Sequence, residues 1–282
     1  MAIKCGYLGP PGTFSEAACL KYFKGEADLI PCSSFNIIFD KIQAGDIDRG
    51  MIPIENSLEG PVNLCMDLFF SNSFVLIISE MILPVKHSLM GMSGSKLNEI
   101  KKIYSISQVI GQSNNFIKKN LTEAEINFTG SSALAAELID SPEKAMIGSS
   151  RISELYGLEI LARDIQDNSQ NHTRFFVIAN KLDVGKQYKE EGLEYKTSII
   201  CAPEINKSGA LYKILSEFAR EGVNLTRIES RPTKRMLGEY LFYIDFEGHL
   251  EDENLERALS GVNKQSSFFK VLGTYKRNEV EK

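Results

Sequence analysis

Long hydrophobic runs are absent from the 282-residue sequence. The longest are five residues, as at 74–78, 175–179 and 240–244, whereas a membrane-spanning helix needs about 20 apolar residues. The first residues contain a lysine and a glycine and lead directly into a Gly/Pro turn, which is unlike a signal peptide. The sequence therefore predicts no membrane partner, and we expect the protein in the cytoplasm.

Charge of one sign is not in large excess. The sequence has 32 Lys and Arg residues and 37 Asp and Glu residues, which gives a net charge of −5. Nucleic-acid-binding proteins present basic surfaces to phosphates, so nucleic acid is not expected as a partner. Five cysteines without a Cys-x-x-Cys pair indicate reduced thiols rather than a disulfide framework or a zinc site. The composition, 43% hydrophobic and 24% charged, is that of a globular protein.

Several catalytic motifs are also absent. The sequence has neither Gly-x-x-x-x-Gly-Lys nor Gly-x-Gly-x-x-Gly, so nucleotide phosphates are not expected as ligands. It has no Gly-x-Ser-x-Gly and no cysteine with a credible histidine partner, which disfavours an acyl-enzyme hydrolase. His87 and His249 have no other metal-ligating residue at ligand spacing, so we interpret both as structural or surface residues and predict no metal.

What the sequence does contain, up to about residue 180, is an alternation of short β-like runs with stretches of helical period. This alternation predicts two successive α/β lobes with largely parallel sheets. We predict one helix over 109–120, another over 132–140 and a third beginning near Pro61, where the missing N–H of proline is tolerated. The polar stretch 163–173 is predicted to be a functional loop or a crossing between the lobes.

The C-terminal part has a different pattern. Residues 181–194 are polar and charged with two glycines, which predicts a linker. From residue 195 onwards the order strand, helix, strand, strand, helix, strand predicts a ferredoxin-like βαββαβ unit. We therefore predict one domain over 1–180, made of the two lobes, and a second domain over 195–282.

The turn Gly9–Ser15 is the first candidate site. It lies between a predicted strand and a predicted helix, where free backbone N–H groups and the positive end of the helix dipole favour an anion such as a carboxylate. The alternative is a tight turn in which Thr13 or Ser15 only caps the helix.

The segment Ile52–Gly60 is the second candidate site. It places Glu55, Asn56 and Ser57 at the end of an apolar strand, the edge at which α/β sheets bind ligands. These polar groups are suited to orienting a substrate. The alternative is that Asn56 and Ser57 only cap the next helix.

The segment Asn171–Phe176 is the third candidate site. It brings the hydroxyl of Thr173 and the guanidinium of Arg174 to the start of an apolar strand, and arginine binds carboxylates with two parallel hydrogen bonds. This pair suits an acidic substrate. The alternative is a surface ion pair for Arg174, a cap for Thr173 and a solvated His172.

Taken together, these segments resemble the prephenate dehydratase family over nearly the whole chain. The C-terminal residues 209–211, 224–226 and 229–232 are similar to the GALV and ESRP motifs of the family's ACT domain. There are two departures: Ile106 stands where many members have the histidine of Ser-His-Pro, and Tyr212 replaces the valine of GALV. The segments that carry the rest of the resemblance are 6–18 (GYLGPPGTFSEAA), 52–62 (IPIENSLEGPV), 131–138 (SSALAAEL), 155–161 (LYGLEIL) and the loop 165–175.

The resemblance implies a catalytic domain of two periplasmic-binding-protein-like lobes followed by an ACT domain. It implies conversion of prephenate to phenylpyruvate with loss of water and carbon dioxide, without a cofactor because formation of the aromatic ring drives the reaction. The leaving hydroxyl needs a proton donor. Thr173 matches the family's essential threonine, and we assign it hydrogen-bond donation or proton relay. Glu55 is the candidate for the ultimate donor, provided that the cleft desolvates it.

Prephenate carries two carboxylates, which need cationic or N–H partners. Arg174 and the helix N-terminus near Thr13 are the expected partners, and Asn56 and Ser57 are expected to bind the polar periphery. The full set of expected substrate-binding residues is Thr13, Asn56, Ser57, Arg174 and Phe175.

Phenylalanine is implied as an allosteric effector of the ACT domain. Its carboxylate is expected at a helix N-terminus formed by Gly209, Ala210 and Leu211, and its ammonium is expected near Asn224. The expected effector site is completed by Leu225, Glu229, Ser230, Arg231 and Pro232.

Two alternatives stay open at this point. Binding-protein lobes joined to an ACT domain also suit a non-enzymatic amino-acid sensor. An arogenate dehydratase acts on a substrate with an ammonium in place of the keto group, and the sequence does not separate the two reactions. Because paired ACT domains usually bury their effector at an interface, we expect a homodimer or a homotetramer.

Overall fold

The computed structural model describes residues 2–185, 187–204, 207–234, 236 and 238–278. Contacts divide the chain into two compact units. The first unit comprises Met1–Ile38, Glu55–Gly60 and Leu83–Arg174, and the second comprises Phe39–Ile54, Pro61–Ile82 and Phe175–Lys282. This division does not fall at the polar stretch 181–194, so the domain boundaries expected from the sequence stay a prediction.

The strands are, in chain order, β1 (Ile3–Leu8), β2 (Ala27–Cys32), β3 (Arg49–Asn56), β4 (Gly60–Pro61), β5 (Val75–Pro84), β6 (Ser88–Gly91), β7 (Lys102–Ser105), β8 (Glu125–Phe128), β9 (Lys144–Gly148), β10 (Glu159–Ala162), β11 (His172–Asn180), β12 (Tyr195–Pro203), β13 (Leu225–Pro232), β14 (Tyr240–Glu247) and β15 (Ser266–Lys276). The helices are α1 (Phe14–Phe23), α2 (Phe35–Ala44), α3 (Asn63–Ser71), α4 (Ser107–Gly111), α5 (Asn114–Asn120), α6 (Ser132–Glu137), α7 (Arg151–Tyr156), α8 (Ala210–Arg220) and α9 (Glu253–Lys264).

The first unit contains a sheet in the order β10-β6-β9-β7-β8. Strand β7 is parallel to β8 and β9, whereas β6 is antiparallel to β9 and β10. In the buried strand β9, Ala145 and Ile147 join one core cluster and Met146 joins another, because successive side chains of a strand point to opposite faces. Both faces of this sheet are therefore covered, which accounts for the continuous apolar run of β9. Strands β1 and β2 of the same unit are also parallel.

The second unit contains the neighbouring strands β3, β11 and β5 and a separate sheet in the order β13-β14-β12-β15. The strand pairs of the separate sheet are antiparallel. Its core cluster joins Ile199 and Phe246 of the strands to Phe218 of α8 and Val262 of α9, so both helices cover one face. The order β12-α8-β13-β14-α9-β15 confirms the predicted ferredoxin-like unit.

Strands β14 and β15 of this sheet also contact α3, β5 and β11 within the second unit. The hydroxyl of Tyr243 donates to the carbonyl oxygen of Met66 at 2.6 Å, and the ring of Tyr275 lies edge-on to Phe176 with 5.6 Å between centroids. At Gly273 an added Cβ atom would clash with the carbonyl oxygen of Ile77. Only glycine therefore allows this close backbone approach.

The helix predicted over 109–120 is wrong as a single element. Helix α4 ends at Gly111 and α5 begins at Asn114. At the break, the N–H of Asp167 donates to the carbonyl oxygen of Gln112 at 2.7 Å, and its carboxylate accepts the N–H of Asn115 at 3.0 Å. The polar stretch 163–173 thus supplies bonds that compete with helix continuation.

Other local predictions also need correction. Pro61 lies in β4 and not in the first turn of α3, which begins at Asn63. The helix predicted over 132–140 ends at Glu137. The four-residue strands β6 and β10 were not predicted. Among the described residues, no helix is long and apolar enough to cross a membrane.

Candidate active site

Two of the three candidate segments meet in the first unit. The N–H of Ser57 donates to the carbonyl oxygen of His172 at 2.9 Å, and the N–H of His172 donates to the hydroxyl of Ser57 at 3.0 Å. The Ser57 hydroxyl also donates to the carbonyl oxygen of Gln170 at 3.1 Å. The end of β3 and the start of β11 are therefore held in a fixed relation.

Asn56 uses both ends of its side-chain amide. The NH₂ group donates to Asn171 Oδ1 at 2.8 Å and to Thr173 Oγ1 at 2.9 Å. Its Oδ1 accepts the N–H groups of Leu58 at 3.0 Å and Glu59 at 3.1 Å. Because helix α3 begins only at Asn63 with Val62 as its cap residue, the alternative in which Asn56 only caps that helix is wrong.

Thr173 is nearly buried, at 9% exposure, and its oxygen accepts the hydrogen bond from Asn56. No group in the described part of the chain accepts the hydroxyl proton of Thr173. The accepted bond fixes one lone pair and turns the O–H away from Asn56. The geometry therefore presents a hydroxyl proton that is available to a ligand.

Arg174 lies 3.4 Å from Glu55, measured from Nη1 to Oε1. The arginine side chain is 8% exposed and the glutamate side chain is 35% exposed. Arg174 is therefore not part of a surface ion pair, which was the alternative for this residue. Glu55 keeps partial contact with solvent, and its role as proton donor stays a prediction.

Three residues of the site had no predicted role: His87 and Gln112, which lie outside the candidate segments, and Asn171, which begins the third segment. Gln112 Oε1 lies 2.9 Å from His87 Nε2 and accepts the Asn171 amide at 3.2 Å, while Gln112 Nε2 donates to Glu59 Oε1 at 3.1 Å. His87 is 1% exposed, and burial lowers its pKa although its hydrogen bond to Gln112 acts in the opposite direction. No sequence spacing signals Gln112, because its partners lie 25 and 59 residues away.

The turn Gly9–Ser15 shows the capping geometry. Thr13 Oγ1 accepts the N–H of Glu16 at 3.3 Å, and the Glu16 carboxylate accepts the N–H of Gly12 at 2.6 Å. Arg151 lies 3.9 Å from that carboxylate. The N–H of Gly12, which was expected to be open to an anion, is therefore already bonded to Glu16. The substrate-binding role of Thr13 stays a prediction.

Phe175 lies on β11 in the second unit, and its side chain is 1% exposed. Its substrate-binding role stays a prediction. Among the described residues, no group of three or more histidine, cysteine, aspartate or glutamate side chains is arranged to hold a metal ion.

Comparison with known proteins identifies the family. A family model described as prephenate dehydratase matches residues 5–183, more than half of the chain. The chain belongs to the prephenate dehydratase family. A family model described as ACT domain matches residues 204–263. The family and fold predicted from the sequence are therefore confirmed.

Relatives and solved structures of prephenate dehydratases extend over nearly all of the chain. The prephenate dehydratase of Methanocaldococcus jannaschii is 38% identical over 95% of this chain and 96% of its own length. Arogenate dehydratase 5 of Arabidopsis thaliana is 34% identical over 97% of this chain and 67% of its own length. The structure of prephenate dehydratase from Arthrobacter aurescens in complex with L-Phe has a TM-score of 0.88 and 35% identity, and the match covers 98% of this chain and 90% of that one.

The ACT domain of this prephenate dehydratase family member borders a cavity of about 620 Å³ within the second unit. Gly209, Ala210 and Leu211 line it, and so do Phe70 of α3 and Phe268 of β15. The rings of Phe70 and Phe268 meet edge-on with 5.1 Å between centroids. The N–H of Ala210 is already bonded to the carbonyl oxygen of Lys207 at 3.0 Å.

The other predicted effector residues do not line this cavity, namely Asn224, Leu225, Glu229, Ser230, Arg231 and Pro232. Arg231 instead binds Asp67 of α3, with Nη2 at 3.2 and 3.1 Å from the two carboxylate oxygens. Lys234 Nζ lies 2.7 Å from the same carboxylate. The ESRP-like segment therefore holds α3 in this structure, and its contact with an effector stays a prediction.

Proposed function

We propose that this chain converts prephenate to phenylpyruvate, water and carbon dioxide. The observation that carries the proposal is the Thr173 hydroxyl, whose oxygen accepts a hydrogen bond from the Asn56 amide and whose proton has no acceptor in the described part of the chain. In this reaction a carboxylate and a hydroxyl leave together as the ring becomes aromatic. The proton is needed at the departing hydroxyl, because hydroxide is a poor leaving group.

Asn56 makes Thr173 a better donor in two ways. Its N–H bond to Thr173 Oγ1 draws electron density from the oxygen, and hydrogen bonds in such a chain polarise one another. The same bond also fixes the direction of the remaining O–H. A threonine hydroxyl is a weak acid, so Thr173 donates a hydrogen bond or relays a proton rather than acting as a free acid.

Arg174 is proposed to bind a carboxylate of the substrate. Its guanidinium is a planar fork that matches a carboxylate with two parallel hydrogen bonds, and burial strengthens such charge-assisted bonds. Asn56 and Ser57 bind the carbonyl oxygens of His172 and Gln170 and so hold the backbone that precedes Thr173 and Arg174. Glu55 contacts Arg174 and is proposed to set the position of the guanidinium, in addition to the donor role predicted for it.

Phenylalanine is proposed to bind in the cavity of the second unit and to regulate turnover. The rings of Phe70 and Phe268 line the cavity and suit the aromatic ring of phenylalanine. The start of α8, at Gly209, suits its carboxylate. The complex of the Arthrobacter aurescens relative with L-Phe supports this choice of ligand. The predicted homodimer or homotetramer and the cytoplasmic location stay predictions.

The deciding experiment measures turnover by the purified full-length chain with a chelator present. We expect phenylpyruvate from prephenate, with kcat/KM higher on prephenate than on arogenate. The reverse preference would make the chain an arogenate dehydratase. Binding of prephenate without any product would support the amino-acid sensor instead.

A further inference from the structure

One buried histidine of the first unit is linked to the proposed proton donor. His87 is 1% exposed, and the ring of Phe14 packs against it with 5.6 Å between centroids. Its Nε2 lies 2.9 Å from Gln112 Oε1. In the described part of the chain, its Nδ1 is buried without a hydrogen-bond partner. Burial of a polar nitrogen without a hydrogen-bond partner costs free energy.

The partners of Gln112 decide which nitrogen of His87 carries the proton. The Glu59 carboxylate only accepts hydrogen bonds when ionised, so the group of Gln112 that faces it at 3.1 Å is the NH₂. The oxygen of Gln112 therefore faces His87, and the histidine must donate from Nε2. Nδ1 then carries a lone pair and no proton, which agrees with its lack of a hydrogen-bond partner. A charged imidazole would instead bury an unpaired N–H at Nδ1.

The hydrogen bonds continue from Gln112 to Thr173, and their direction reverses at Asn56, whose NH₂ donates on both sides. Asn171 donates to the oxygen of Gln112 at 3.2 Å, Asn56 donates to the oxygen of Asn171 at 2.8 Å, and Asn56 donates to Thr173 at 2.9 Å. If the amide of Gln112 turned over, its NH₂ would face the NH₂ of Asn171. Asn171 would then lose its acceptor, and a compensating turn of Asn171 would remove its oxygen from Asn56, whose amide is otherwise held by the carbonyl oxygen of His172 and the N–H groups of Leu58 and Glu59.

We propose that His87 is a positioning residue for the reaction, whose Nε2–H fixes the amide of Gln112 and, through Asn171 and Asn56, the direction of the Thr173 hydroxyl. The inference rests on the proposed function, because it concerns the same proton donor. His87 itself touches no reacting atom. The residue thus acts on the chemical step and not on substrate affinity.

Glutamine and methionine at position 87 give a matched pair. The two side chains have similar size and flexibility, and only glutamine places an N–H donor where His87 Nε2 stands. We expect His87→Met to lower kcat about five- to tenfold, since a lost hydrogen bond contributes about 1 to 1.4 kcal/mol and about 1.4 kcal/mol corresponds to a factor of ten, with KM within about twofold. We expect His87→Gln to keep kcat within about threefold of the wild type.

His249→Met is the control for burial. His249 is also 1% exposed, and its Nε2 has no partner in the described part of the chain. It lies in the second unit and takes no part in the hydrogen bonds that connect His87 to Thr173. Its replacement should leave kcat unchanged. Thermal unfolding of all three variants shows whether a loss of kcat follows a loss of stability.

A second readout does not depend on variants or on turnover. Nitrogen-15 NMR of the histidine rings distinguishes the two neutral tautomers, and we expect His87 to be protonated at Nε2 at pH 7. The inference is wrong if His87 carries its proton on Nδ1. It is also wrong if His87→Met and His87→Gln lose kcat equally in an otherwise active enzyme. Failure of the wild type to consume prephenate would instead overturn the proposed function, and the tautomer would still decide the direction of the hydrogen bonds.

Discussion

The candidate active site of the first unit and the cavity of the second unit differ in what lines them. Asn56, Thr173 and Arg174 present an amide, a hydroxyl and a guanidinium, each held by a named partner. The cavity is lined by aromatic rings such as those of Phe70 and Phe268, and Glu204 and Lys207 also border it. Polar groups in fixed directions suit the transfer of a proton, whereas apolar walls suit the recognition of a ring by its shape.

The two regions also differ in what a single substitution should change. In the first unit, removal of one polar atom interrupts a series of hydrogen bonds and should change the kinetics of the reaction. In the second unit, removal of a wall should act on effector affinity and leave the reaction intact. The predictions below test this separation.

The largest effect is expected at Thr173. Thr173→Ala should lower kcat by about 10²- to 10⁴-fold, the usual range for loss of a proton-transfer group, while the affinity for phenylalanine stays unchanged. Thr173→Ser keeps the hydroxyl and should retain most of the activity. Steady-state kinetics on prephenate measure the first effect and calorimetry with phenylalanine the second. A kcat near that of the wild type in the alanine variant would remove Thr173 from the mechanism.

Arg174→Ala should raise KM for prephenate by about 10- to 100-fold with a smaller change in kcat. A hydrogen bond to a charged group contributes about 1.5 to 3 kcal/mol, and about 1.4 kcal/mol corresponds to a factor of ten. Arg174→Lys keeps the charge but not the planar fork, so its KM should lie between that of the wild type and that of Arg174→Ala. A large loss of kcat at unchanged KM would assign Arg174 to the chemical step instead.

Phe70→Ala should weaken inhibition by phenylalanine about tenfold, because an aromatic contact contributes about 0.5 to 1.5 kcal/mol beyond its buried area. Its kcat without phenylalanine should equal that of the wild type. Leu64→Ala is the matched control, since Leu64 lies on the same helix, is 50% exposed and is not among the cavity residues. Unchanged inhibition of Phe70→Ala would place the effector elsewhere.

The smallest effect is expected at Asp67. Burial alone would raise its pKa, but hydrogen bonds from Lys234 and Arg231 outweigh it and hold the pKa below its usual value. Such a carboxylate stabilises the fold above the unfolded-state pKa of about 3.9, and the contribution is lost as the pH falls through the lower folded-state pKa. Asp67→Asn should therefore reduce the free energy of unfolding by about 1 kcal/mol at neutral pH and by less in acid.

Urea unfolding at neutral and acidic pH measures this difference. Asp46→Asn is its control, because Asp46 belongs to the same unit, is 61% exposed and lies 4.0 Å from Lys41. The control should change stability by less than about 0.5 kcal/mol. Equal effects of the two substitutions would show that the Asp67 contacts with β13 do not stabilise the second unit.

Much of the fold follows from local sequence patterns. The apolar run of β9 predicts a strand, because burial on both faces leaves no polar position in it. The apolar stripe of α8 predicts a helix, because burial of one helix face leaves a period of 3.6 residues. The break between α4 and α5 is not visible in this way. It depends on Asp167, which lies more than 50 residues away from its partner Asn115 and competes for the same backbone groups.

The site was predicted where polar residues adjoin a strand end, as at Asn56 and Thr173. Gln112 and His87 were missed because their roles arise from contacts across the first unit, and a lone buried histidine has no distinguishing spacing. Arg231 shows a contact that was not predicted. The motif predicts a ligand contact, which stays a prediction, and the folded chain pairs this cation with Asp67.

The most direct test of two separate sites is the affinity of Thr173→Ala for prephenate at increasing concentrations of phenylalanine. This variant binds the substrate but consumes it slowly, so calorimetry reads the Kd itself. We predict that Kd rises and then reaches a plateau at about 5- to 150-fold, because two sites are linked by a finite coupling free energy. A Kd that rises in proportion to phenylalanine without a plateau would show that both ligands compete for one site.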